Sequence, residues 1–95
     1  MGRLLDTIRM LVADGHYVIS EHASDRMIER EFLEWQVLAG TLDGVATRER
    51  PQNRPHPAVE IRGLLPDGTS FKAVWCLLGR SRVAKLVTVH YLDEE

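Results

Sequence analysis

The chain has a single cysteine, Cys76, so it cannot form an internal disulfide. That cysteine lies in the apolar run "FKAVWCLLG" and reads as a buried, inert thiol, which fits a reducing cytoplasm. No apolar run reaches the roughly 18–20 residues needed to span a bilayer. The opening "MGRLLDTIRM" lacks the apolar core and small-residue cleavage site of a secretory signal. Asp6 and Thr7 do not suit myristoylation at Gly2. Neither sign of charge dominates: 12 Lys and Arg stand against 14 Asp and Glu, a net charge of -2. Dedicated nucleic-acid binders are usually more basic, because phosphate contacts dominate their affinity. Any RNA or DNA site must therefore be a local basic patch, offset in the total by scattered acids and the terminal "LDEE". Internal repeats and low-complexity segments are absent from the sequence.

What is present is an ordinary globular composition, with 44% hydrophobic and 27% charged residues. The 95 residues suit one domain, 1–95. So small a domain buries roughly 60–70% of its unfolded surface, and a partner covering more would help. Leu4, Leu5, Ile8, Leu11 and Val12 recur at helical spacing and predict a helix over 3–14, ended by Gly15. "HYVIS", 16–20, is β-branched and aromatic, as in a short strand. Ser20 is a candidate cap for a second helix, with Glu21 at the positive end of its dipole. Ala23, Met27 and Ile28 are candidates for its buried stripe.

A third helix is expected over 33–42, with Trp35, Leu38, Ala39 and Leu42 at i, i+3, i+4 and i+7, before Gly44. Gly40 inside it costs up to about 1 kcal/mol relative to Ala. Strands are expected near 45–49, 58–64, 70–78 and 82–91, separated by the proline-rich loop "RERPQNRPHP" and the turns "LPDGT" and "GRS". The order α-β-α-α-β-β-β-β predicts an α+β fold: an antiparallel sheet of about four to five strands with two to three helices on one face. In the last strand Val83, Lys85, Val87, Val89 and Tyr91 alternate with Ala84, Leu86, Thr88 and His90. Both sets are mixed, so alternation does not say which face is wet.

The chemistry centres on "SEHASDRMIER", 20–30. His22, Arg26 and Arg30 advance in i+4 steps and share one broad helix face. Histidine exchanges protons near neutral pH, and arginine holds phosphate oxygens with bidentate forks. Metal-independent RNA cleavage needs those properties: a base for the 2′-hydroxyl, a cation for the phosphorane and an acid for the leaving 5′ oxygen. His90 is a candidate second proton-transfer group, and Tyr91, Tyr17 and Lys85 are further candidates. Asp25 and Glu29 are interleaved with the arginines, so the same spacing also fits a solvated face with weak ion pairs. Arg62, Lys72, Arg80, Arg82 and Lys85 are the candidate RNA-binding cations. "GRSR", 79–82, with Arg48, Arg50, Arg54 and Arg62, is a candidate basic rim or ordinary surface. The histidines at 16, 22, 56 and 90 form no H-x-x-x-H pair, so no metal or other cofactor is expected.

"HYVISEHASDRMIER" resembles the opening signature of a bacterial family of unknown function, numbered 4258. The matching residues are Ser20, Glu21, His22, Ala23, Arg26, Met27, Glu29 and Arg30, then Gly44, then Thr88, Val89 and Tyr91. That family looks related to RelE- and BrnT-like toxins, which are small ribonucleases usually held by an antitoxin protein. The resemblance implies a ribonuclease-like fold and RNA cleavage, with His22, Arg26, Arg30 and Tyr91 carried over by motif match. The family commonly has Gly-Ile and then a Ser or Thr cap where this chain reads Glu31, Phe32 and Leu33. Helices two and three are therefore expected to be softly separated or continuous. The leading expectation is a cytoplasmic, toxin-like, metal-independent RNA endonuclease. The alternative is a non-catalytic module of the same fold that binds a protein or forms a homodimer.

Overall fold

A computed structural model describes residues 2–92. Its elements run α1 (Arg3–Ala13), β1 (Tyr17–Ile19), α2 (Glu21–Arg30), α3 (Glu34–Asp43), β2 (Val45–Arg50), β3 (Ala58–Leu64), β4 (Ser70–Leu78) and β5 (Val83–Tyr91). This is the α+β order expected from the sequence. The terminal acids 93–95 lie outside the described residues.

The strands form one five-stranded sheet in the order β1-β5-β4-β3-β2. β2–β5 form the expected antiparallel sheet, and β1 joins it parallel to β5, so the sheet as a whole is mixed. β1 can lie beside β5 because two helices and three strands intervene in sequence, far more chain than a parallel crossover needs.

The core lies between the helices and one sheet face. Leu5, Ile8, Leu11 and Val12 of α1 meet Val59, Ile61, Phe71, Ala73, Trp75, Ala84, Leu86 and Val89. Ala23 and Met27 of α2 join them, whereas Ile28, a candidate for the same stripe, is 75% exposed. The sheet side of α2 is narrow, because only the i and i+4 positions of this short helix face β5.

Helix ends are tied to distant elements. The carboxylate of Glu49 in β2 accepts from the N–H groups of Gly2 and Leu5 at the start of α1. Arg9 of α1 donates from Nε to the carbonyl of Thr41 at 3.0 Å and from its guanidinium to the carbonyl of Gly44, closing the end of α3. An anion at a helix start and a cation at a helix end both complement the backbone dipole. Ser20 caps α2, its Oγ accepting from the Ala23 N–H at 3.0 Å.

α2 and α3 are separate helices, which removes the continuous alternative. Glu31 adopts a left-handed conformation with φ 60. The N–H of Phe32 then donates to the carbonyl of Met27 at 2.9 Å, the long bond of a Schellman closure. Phe32 is buried and anchors the break. Leu33 has no capping oxygen, but the side chain of Gln36 accepts from its N–H at 3.3 Å.

α3 departs most from expectation. Trp35 is 60% exposed, Leu42 is 38% exposed, and the buried positions are Val37, Gly40 and Thr41. Of the expected stripe, Trp35, Ala39 and Leu42 are exposed, and Leu38 alone packs against the core. Gly40 explains the rotation: α3 packs so tightly on β3 that a Cβ at Gly63 would lie 2.9 Å from the Gly40 Cα. The Thr41 hydroxyl is satisfied in the core, accepting from the Trp75 indole at 2.9 Å and donating to the Val37 carbonyl at 2.8 Å. Backbone proximity and one internal hydrogen-bond chain outweigh the larger apolar face.

Candidate functional site on the open sheet face

The helices cover one face of the sheet, and the register says what the other carries. Arg48 pairs with Glu60, and Arg50 with Ala58. Arg62 pairs with Lys72, Glu60 with Val74, and Ala58 with Cys76. Lys72 pairs with His90, Val74 with Thr88, and Cys76 with Lys85. These residues therefore share the open face. Among the described strand residues it carries the cations Arg48, Arg50, Arg62, Lys72 and Lys85 against a single acid, Glu60. The net charge of the whole chain conceals this separation, because the other described acids lie on helices and turns or, as Glu49 does, on the core side of β2.

A register shift beside Val74 and Trp75 sets the composition of that face. Trp75 pairs with Leu86 while Val74 pairs with Thr88, so Val87 is the extra residue of a bulge. Ala84 and Leu86 point to the core before the bulge, and Val89 and Tyr91 after it. Simple alternation had placed Val89 and Tyr91 with Lys85. The bulge resolves the mixed pattern and separates the dry from the wet face.

The proline-rich segment between β2 and β3 folds back over this face. Its Arg54–Pro55 peptide is cis, and the Asn53 amide donates to the carbonyl of His56 at 3.0 Å. Between this loop, the start of α2 and the strands lies an open cavity of about 440 Å³. It is lined by Ser20, His22, Arg50, Asn53, Pro55, His56, Ala58, Glu60, Val74, Cys76, Lys85 and Val87. Two histidines, two cations and a carboxylate thus surround one hollow with a small apolar floor. The N-terminus of α2 opens onto it, which favours a bound anion.

Two ion pairs order the cations. Glu60 Oε2 lies 2.8 Å from Arg50 Nη2, and Oε1 lies 3.4 Å from Lys72 Nζ. At the floor, burial pushes the Cys76 thiol above its usual range, and the charge of Lys85 pulls it partly back. The thiol is held protonated, so it is a poor nucleophile. Among the described residues, no group of three or more His, Cys, Asp or Glu is placed to hold a metal ion.

The residues singled out in the sequence are dispersed. His22 and Lys85 line the cavity. Arg26 instead shares a shallow depression with His22, Asp25 and Glu29, and its guanidinium lies 3.7 Å from Glu29 on the surface. Arg30 occupies the last turn of α2, with its Nε buried. The broad basic face therefore does not become one cleft, because α2 runs along the edge of β5 and only its first turn meets the cavity. His90 sits on the open face opposite Lys72, with its Nε2 buried.

Tyr91 points to the core side, stacks on Phe32 at 4.6 Å and donates its hydroxyl to the Arg30 carbonyl at 2.9 Å. It joins β5 to α2. Tyr17 packs edge-on against Trp75 and donates its hydroxyl to Glu34 at 2.5 Å, which raises its pKa. Arg62 and Lys72 lie on the open face, whereas Arg80 and Arg82 sit at the β4–β5 turn. Arg82 there lines a separate hollow with Met10 and His16.

Sequence reasoning did not single out His56, Asn53 or Glu60 as site residues. His56 and Asn53 belong to a loop read only as a connection, although a His among prolines beside a basic strand was a usable signal. Glu60 had no local signature.

Among the described residues, no helix is long and apolar enough to cross a membrane. Comparison with protein-family models, curated proteins and solved structures returned no match.

Proposed function

We propose that the chain is a toxin-like, metal-independent ribonuclease that works on the open face of its sheet. One observation carries this reading: His22 and His56 line the same cavity as Arg50 and Lys85, on a face whose strand charges are almost all positive. The resemblance of residues 16–30 to a toxin-related family is consistent with it.

The chemistry follows from the side chains. One imidazole takes the 2′-hydroxyl proton, and the resulting oxygen attacks phosphorus. Arg50 and Lys85 stabilise the charge on the phosphorane oxygens, the P–O5′ bond breaks, and the other imidazole protonates the leaving oxygen. The products are a 2′,3′-cyclic phosphate and a 5′-hydroxyl. Such a reaction needs one imidazole neutral and the other protonated, so its rate is bell-shaped in pH.

The test is cleavage of an end-labelled RNA in EDTA by the wild type, His22→Ala and His56→Ala. Each substitution is expected to lower the rate by at least about a hundredfold. An inactive wild type, or full activity in both variants, removes the proposal. A cytoplasmic location and an antitoxin partner belong to the same reading; co-purification of a small partner from the native host tests the latter.

The exposure of Trp35 and Leu42 on α3 favours a second reading, a non-catalytic module that dimerises through them. Sedimentation of the wild type and Trp35→Glu decides it: a dimer that Trp35→Glu dissociates, with no cleavage by either protein, is its signature.

A further inference from the structure

The cavity's floor and rim differ in chemistry. Ala58, Val74, Cys76 and Val87 supply an apolar floor, while the imidazoles and cations stand around it. Phosphate binding has no need of an apolar floor; a nucleobase does, since its faces are desolvated on binding. The volume, about 440 Å³, falls in the range of roughly 300–1,000 Å³ typical of small-molecule sites. His56 at the rim carries an aromatic ring of the kind on which unpaired bases stack. A duplex keeps its bases stacked and inward, so it cannot place one in such a hollow.

We infer that the cavity is a subsite for one unstacked nucleobase of single-stranded RNA, with the adjoining phosphates on Arg50 and Lys85. The inference rests on the RNA reading of this face and adds a requirement for a base at one position. Asn53 is suited to touch the base edge, because its bond to the His56 carbonyl fixes its amide in the cavity wall.

The probes are a ten-nucleotide 2′-deoxy strand, which the proposed reaction cannot cleave, and an abasic strand of the same length. Fluorescence anisotropy at low salt compares the wild type with two floor-filling variants, Val87→Trp and Val74→Phe, each checked for folding by circular dichroism. The wild type is expected to prefer the base-bearing strand by about fivefold or more. A folded floor-filling variant is expected to lose that preference while holding the abasic strand within twofold of the wild type. Equal binding of the two strands by the wild type overturns the inference, as does a preference that survives in the folded variants. RNA cleavage by a protein with no base preference leaves the ribonuclease reading standing and sinks the subsite. A base preference without cleavage does the reverse.

Discussion

Glu60 holds Arg50 at 2.8 Å across two neighbouring strands, and its second oxygen faces Lys72 at 3.4 Å. The carboxylate is largely covered, with 15% of its side chain exposed. The only acid among the described strand residues of a basic face thus sits where a phosphate would gain most from the same cations. It lowers the repulsion among them in the free protein and competes with an incoming phosphate.

Glu60→Gln is therefore expected to strengthen binding of single-stranded RNA several-fold at low salt. The slope of log affinity against log salt should steepen by about 0.7 if one more phosphate contact forms. A salt titration by anisotropy measures both. Weaker binding would instead mean that the carboxylate organises the cations.

Tyr91 is one of the residues on which the sequence resemblance rests, but its hydroxyl is engaged with the Arg30 carbonyl and its ring with Phe32. Tyr91→Phe keeps the stack and removes one hydrogen bond. It is expected to cost about 1 kcal/mol in urea denaturation and to leave RNA cleavage within twofold. A large loss of rate at unchanged stability would return Tyr91 to the chemistry.

The Trp75 indole N–H donates to the Thr41 hydroxyl in a core where both residues are fully buried. Thr41→Val keeps the shape and strands the indole N–H. The expected destabilisation is about 1–3 kcal/mol, read from the shift of the denaturation midpoint. Thr41→Ser keeps the hydroxyl and should cost less.

Glu31 sits at φ 60, a conformation disfavoured for a residue with a Cβ. Glu31→Gly relieves that cost but loosens the unfolded chain. A net gain of up to about 1 kcal/mol is expected. Thermal melting checks it.

Burial raises the pKa of Cys76 more than Lys85 lowers it. Little thiolate exists at neutral pH, so a disulfide reagent should react more slowly than with an unfolded control. The rate should climb as pH rises above the usual thiol range. Lys85→Met removes the opposing charge and should slow the reaction further. A fast reaction at neutral pH would contradict the burial.

By itself the sequence determined the elements and their order. β3 and β4 lie at the expected 58–64 and 70–78, and the other bounds moved by a residue or two. Periodicity, the Ser20 cap and the Pro-Asp-Gly turn act over a few neighbouring residues, so they can be read locally. It also marked His22 and Lys85, but it could not say what stood opposite them.

Only the tertiary structure decided the faces. The bulge at Val87 turned β5 over halfway along, and close packing at Gly40 and Gly63 set α3 with Trp35 and Leu42 outward and only Leu38 of that stripe against the core. Both arise from contacts between elements distant in the chain. The same holds for the site: β1 had to lie beside β5, and the loop before β3 had to fold back, before His22 and His56 could line one cavity. Strand pairing, not residue spacing, gathers the cations onto one face of a chain whose total charge is negative.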